Sequence, residues 1–357
     1  MRPDPDAFAA LLCDWCLEAH EGDQVMVAAT VPSMPLALAV HAALLQRGAW
    51  PLMRLSAAAL AESFYKHAKD GQLDAFAPLE LTEAQQADAY LTITAPTNTR
   101  ALAAVDPARI ARAGRARTPI QEARLASRWC GTLWPTAAAA QQAGMSEDDY
   151  AAFVTRALFL DRPDPVQAWR ELTELQQRLV ERLTVAREIR IEAPDTDLRL
   201  RVDGRTWINS NGKHNMPSGE VFTGPLEDSA NGTVRFTVPS SPSGVEVADI
   251  QLTFSEGRVV EASAERGDEY LQAALQTDAG ARFLGELGIG TNIGIDRPTG
   301  AILLDEKMAG TIHLALGRSY PETGGTNQSA LHWDMICDLR DGGRLSVDGE
   351  ILPLTGR

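Results

Sequence analysis

The stretch GDQVMVAAT, residues 22–30, opens on a Gly-Asp turn and continues as an apolar run. A short apolar run bounded by turn residues reads as a buried strand. Working outward toward the C-terminus, LALAVHAALLQRG carries helical spacing over about 35–47, and Gly48 stops it as a C-terminal cap. PLMRL then reads as a second strand, 57–67 as a helix, and DAYLTITA (88–95) as a third strand. Strand and helix in alternation imply crossover connections and therefore a parallel α/β sheet. In the other direction, AFAALLCDWCLEAH predicts an amphipathic helix over about 6–20. Residues 106–115 predict a helix, and RWCGTLWPTAAAAQQAGMSEDDYAAFV predicts a strand, a Pro-capped helix and a further helix capped by Ser146 with Asp149.

A charged helix is expected over 164–185, its Leu172, Leu175, Leu179 and Leu183 packing against a domain. At about residue 187 the texture changes. REIRIEAPDTDLRLRVDGRTW reads as short alternating strands with Asp-Gly turns, and this style runs nearly to the end. Helix signal in the second half is confined to about 267–284. The expected organisation is an N-terminal parallel-sheet α/β domain over 1–187 and a mainly β (α+β) domain over 188–357, a division suited to a chain of 357 residues.

Composition narrows the function. With 48 acidic and 33 basic residues the formal charge is -15, and no basic patch is visible, which argues against nucleic acid or an anionic membrane as partner. No apolar run is long enough to span a bilayer, and MRPDPDAF has neither part of a signal peptide, so a cytoplasmic location is expected. Cys13, Cys16, Cys130 and Cys337 form no disulfide framework. The CxxC of Cys13 and Cys16 sits in a helical apolar pattern and reads as buried packing.

Chemistry concentrates between Gly310 and Asp338, in GTIHLALGRSYPETGGTNQSALHWDMICD. His332 and Asp334 stand two apart, so on a strand they share a face, and His313 lies in TIHLAL, another strand pattern. Imidazole and carboxylate donors suit a borderline divalent ion such as zinc, cobalt or manganese. Glu220, at the start of an apolar β-prone run, and Glu286, between glycines in FLGELGIGTNIGI, are costly to bury unless paired or metal-bound. Two Glu, one Asp and two His make the inventory of a two-metal hydrolytic site, while ordinary strand residues and salt bridges are the plainer reading. No GxSxG is present, and Cys337 lies in an apolar strand as an inert thiol. GIGTNIG does not fit GxGxxG and precedes no helix, since IDRPTGAIL reads as turn then strand, so it is expected as a pocket-shaping loop. TGGTN (323–327) is expected as a loop over the site, His214 as pocket lining or a turn residue, and Trp129 and Trp134 as packing.

The windows GEVFTGPLEDSANGTVRF, LGELGIGTNIGI, GTIHLALG and NQSALHWDMICDLR resemble those of the aminopeptidase T / aminopeptidase S family of metallo-aminopeptidases, and RWCGTLWPTAAAAQQAGMS resembles its first domain. The resemblance implies a homodimer that releases N-terminal residues from peptides with a free N-terminus, through a water activated by two divalent ions. By the same resemblance the ions are held by Glu220, Glu286, His313, His332 and Asp334, with Glu220 or Glu286 moving the proton and Tyr320 near the ions. The compact segment between Tyr320 and His332 departs from the family's longer members. A mononuclear Fe(II) dioxygenase similar to 2,5-dihydroxypyridine dioxygenase would need only His313, His332 and Asp334. A non-catalytic small-molecule or peptide-binding protein is the alternative of another class.

Overall fold

The computed structural model describes residues 2–240 and 242–354. They fall into two compact units: one runs to Ala168 and takes back Gly212–Pro217, the other comprises Trp169–Asn211 and Ser218 onward. The units part inside the helix Pro165–Thr184, ahead of the 187/188 expected from texture. Trp169 is fully buried, and Leu179, Val180 and Leu183 of that helix pack on the second unit's core.

In the first unit Gln24–Thr30 lies between Trp50–Ser56 and Ala89–Thr94, parallel to both, and Arg128–Leu133 extends the sheet. Asn215–Met216 adds a short parallel strand at the edge. The crossover Met34–Gln46 is helical as its spacing predicts, and Gly48 beyond it takes the positive φ of +75° that a helix stop favours. The N-terminal helix is shorter than expected, because Pro5–Leu11 passes into a π-turn at Leu12–Cys16. Cys13 and Cys16 are free and buried there. Thr136, not Pro135, caps the helix Ala137–Gln142, while Ser146 Oγ accepts the Asp149 N–H at 3.1 Å as predicted. Helices Pro78–Gln86 and Thr118–Leu125 went unpredicted, the first because PLELTEAQQ carries too few apolar residues to show a stripe.

The second unit carries two antiparallel sheets, one of seven strands and one of five. The smaller sheet runs His332–Asp338, Thr311–Gly317, Leu284–Gly290, Glu220–Thr223, Ile208–Ser210. Its alternation decides the rest. Leu287, Ile289, Ile312, Leu314 and Met335 point into a core shared with Val234, Leu252 and Phe254 of the larger sheet. Each buried aliphatic side chain contributes about 2 kcal/mol, which fixes the register and commits the intervening residues to the opposite face. Two predicted elements differ. The helix expected over 267–284 is only Asp268–Ala274, because Asp278 then accepts the N–H groups of Gly280 and Ala281 and turns the chain. The segment expected as a strand after the 295–300 turn instead forms the short helix Ile302–Asp305.

Candidate metal centre

Across the five-stranded sheet, Glu286 pairs with Ala315 and Ala315 with Asp334, while Gly317 pairs with His332. Gly288 pairs with His313, and Gly290 with Glu220. Directly paired residues share a face, so all five predicted donors stand on one side, interleaved with Gly and Ala. A register shift between Leu284 and Glu286 marks a bulge, the usual device for re-aiming a side chain. The small residues have a steric reason. A Cβ on Gly288 would lie 1.9 Å from His313 Cε1, so the imidazole occupies the space a side chain would take.

The structure thus brings Glu220, Glu286, His313, His332 and Asp334 together. His313 Nε2 lies 3.3 Å from Glu286 Oε1 and 3.7 Å from Glu220 Oε2. His332 Nε2 lies 3.4 Å from Glu286 Oε2 and 3.5 Å from Asp334 Oδ2. The other nitrogens settle the tautomers. His313 Nδ1 is 3.1 Å from the Glu306 carbonyl and His332 Nδ1 is 2.8 Å from the Arg318 carbonyl. A carbonyl only accepts, so both Nδ1 atoms carry hydrogen, and both Nε2 atoms turn toward carboxylates. Such an arrangement needs a proton or a cation between nitrogen and oxygen. Glu220 Oε2 and Asp334 Oδ1 are buried without any hydrogen-bond partner, so the donor set has unused acceptors aimed inward. These residues fit a divalent metal. Two donor groups, Glu220–Glu306–His313 and Glu286–His313–Asp334, each have ligand atoms within 4.8 Å of one another.

Electrostatics in the metal-free protein follow from this crowding. Burial lowers His313, but the Glu286 bond and the Glu220 and Asp334 charges outweigh it and carry it up to about 10. His332 behaves likewise, burial opposed by Asp334 and Glu286, and rises to about 9. Burial raises the Glu286 carboxyl, with the His313 bond offsetting only part. Asp334 is held below its ordinary value because His332 overcomes the cost of burial. Tyr320 is 40 % exposed, yet burial of its phenol end and then the carboxylates of Glu286 and Asp334 push it up, so it stays an O–H donor. Its ring meets His332 edge-on at 5.3 Å and Phe222 at 5.5 Å.

Three residues of the site escaped sequence reasoning. Lys307 is fully buried, its Nζ 3.3 Å from Glu220 Oε1 and also paired with Glu306. The run of three charges Asp305, Glu306 and Lys307 between Leu304 and Met308 was the available signal, since buried charge demands a partner. Burial pushes Glu306 up to about 8 despite Lys307. Gln176, wholly buried on the long helix, donates to the backbone carbonyls of Ser210 and Glu220 and so fixes the edge from which Glu220 projects. His214 belongs to the first unit, its ring stacked on Trp129 at 4.7 Å. TGGTN is a loop, with the Thr326 N–H and hydroxyl both donating to Glu227 Oε1. Cys337 is buried, which pushes its thiol up to about 12.

Fold and cluster define a two-unit α/β protein with a candidate metal centre on an antiparallel sheet. Comparison with known proteins carries this to a family. Residues 3–350 match the thermophilic metalloprotease (M29) family, and the chain belongs to it. Aminopeptidase 2 of Geobacillus stearothermophilus is 35% identical over 307 residues, covering 74% of this chain and 73% of its own. Aminopeptidase T of Thermus aquaticus is 31% identical over 250 residues, 60% of either chain. The solved structure of wild-type AmpT from Thermus thermophilus superimposes with a TM-score of 0.85 at 24% identity, over 98% of this chain and 97% of that one. 2,5-Dihydroxypyridine dioxygenase from Pseudomonas putida KT2440 superimposes with a TM-score of 0.58 at 16% identity, over 99% and 95%. At such identities the two likenesses speak for architecture alone.

Proposed function

We propose that this chain is a metal-dependent aminopeptidase that holds two divalent ions on Glu220, Glu286, His313, His332 and Asp334. Membership of a metalloprotease family and relatives named aminopeptidases carry the activity. The observation that carries the metal assignment is the pair of Nε2 atoms aimed at carboxylates, with two buried acceptors unpaired. The mixed nitrogen and oxygen donors suit zinc, cobalt or manganese. Glu220 and Glu286 exceed what a two-His, one-carboxylate iron site requires, which speaks against the dioxygenase reading.

When bound, the ions supply Lewis acidity for the scissile carbonyl and lower the pKa of water. The chain's own groups do the rest. Buried carboxylates make a negative recess that draws the substrate's terminal ammonium and so confines cleavage to the first residue. Glu220 or Glu286 takes the proton of the attacking water and delivers it to the departing amine. Tyr320, its phenol protonated, donates to the oxygen on which charge develops. The near-complete burial of His313, Glu220 and Glu286 keeps bulk water from weakening these interactions. The resemblance noted above supports a homodimer. A cytoplasmic location rests on the sequence, and among the described residues no helix is long and apolar enough to cross a membrane.

The test is hydrolysis of aminoacyl-p-nitroanilides with free and blocked amines. The wild type is expected to cleave only the free-amine substrates, and His332→Ala and Asp334→Ala to lose that activity while still folding. Full activity in both variants, or cleavage of blocked substrates, would defeat the proposal.

A further inference from the structure

Beside the candidate metal centre the second unit holds a cavity of about 210 Å³. His332 and Asp334 form one side of it, and Val238, Pro239, Ile302 and Ile336 contribute apolar walls. Ile336 stands two places after Asp334 on the same strand and faces the same way. The cavity is therefore continuous with the donors by the register of a single strand.

Apart from the candidate metal ligands His332 and Asp334, its polar lining is satisfied within the fold. Asp305, 2 % exposed, accepts the Thr299 N–H and hydroxyl on Oδ1 and the Gly300 N–H on Oδ2, each at 2.7 Å. Ser240 Oγ accepts the Trp333 indole N–H at 2.9 Å. What remains for an incoming group is hydrocarbon. The unpartnered Asp334 Oδ1 belongs to the proposed metal ligands; beyond it a basic side chain would find the Asp305 carboxylate turned into the fold, and a polar one would find no free partner. The volume falls short of the roughly 300–1,000 Å³ typical of whole small-molecule sites and suits a single side chain.

We propose that this cavity receives the side chain of the substrate's N-terminal residue and makes the enzyme prefer aliphatic residues, with Ile302 as a specificity-determining residue at its rim. This rests on the aminopeptidase reading. Leucine buries three more carbons than alanine, and at about fourfold per buried carbon the preference in kcat/KM is roughly 60-fold.

The experiment measures kcat/KM for the glycine, alanine, leucine and lysine p-nitroanilides with the metal-loaded wild type, Ile302→Trp and Ile302→Asp. Ile302 is 45 % exposed, so both variants should fold, and their melting temperatures check this. The leucine-to-alanine ratio is expected to fall at least tenfold in Ile302→Trp, which fills the cavity. Ile302→Asp is expected to raise lysine relative to leucine at least tenfold. Calorimetric binding of free leucine and alanine gives the same ordering without turnover. A wild type active on these substrates whose ratios move in neither variant would overturn the cavity assignment alone. A wild type inert toward all four would overturn the aminopeptidase reading, and the assignment with it.

Discussion

Replacing Lys307 by Met tests how the site tolerates its own charge. The Lys307 side chain has no exposure, and its partners Glu220 and Glu306 have side chains only 7% and 15% exposed. Burial opposes the ammonium, but the two carboxylates outweigh it and hold its pKa above the ordinary lysine value. Removing one member of a buried ionic group leaves the others uncompensated and costs about 3–5 kcal/mol. For a unit of this size each kcal/mol moves the midpoint by roughly 2–4 °C. The metal-free variant is thus expected to melt about 6–20 °C below the wild type, measured by circular dichroism in the presence of a chelator. Saturating zinc or cobalt supplies replacement positive charge, so the gap should narrow. Equal midpoints without metal would refute the claim that Lys307 compensates these carboxylates, and a gap unchanged by metal would refute the claim that cations reach them.

Gly288→Ala places a methyl group where the His313 ring lies, so it should abolish hydrolysis and reduce bound metal by at least tenfold, as read by elemental analysis. Tyr320→Phe removes one donor to the developing charge and should lower kcat about 100-fold, with metal content unchanged. The raised imidazoles also give a pH signature. His313 rises to about 10 and His332 to about 9, both above the unfolded value of 6.5. Their stabilising contribution to the metal-free fold is complete below about pH 6.5 and is lost as pH climbs through about 9 and 10. Thermal melts of the metal-free protein should therefore decline across that window. Metal binding at neutral pH should release protons, detectable by calorimetry in buffers of different ionisation enthalpy, and tighten as pH rises.

The site was legible where the period of a strand alone decides orientation. His332 and Asp334, two apart, could be placed on one face before any coordinates, and the apolar partners Trp333 and Met335 commit them there. The alternation of strand and helix likewise announced the parallel sheet of the first half. What stayed hidden depended on distance in space. Glycines around Glu286 hinted at close approach, but that Gly288 yields its volume to His313 follows from pairing between strands, which no local pattern records. Gln176 sits on a helix forty-four residues before Glu220 and acts through a backbone carbonyl, so nothing in its neighbours marks it. Lys307 ends a run of three charges between apolar residues, and only the fold shows that it answers Glu220 as well as its neighbour Glu306. The shortened helix at Asp268–Ala274 failed for another reason. Its apolar residues continue in helical rhythm, but Asp278 offers the backbone a competing set of hydrogen bonds.

The sharpest measurement is anomalous diffraction from crystals grown with cobalt or zinc. Two peaks per chain are expected in the recess between His313, His332 and the carboxylates, each within about 2.0–2.3 Å of an Nε2 or a carboxylate oxygen. Density showing cations elsewhere, with hydrogen-bonded water alone between Glu286 and the two imidazoles, would contradict it.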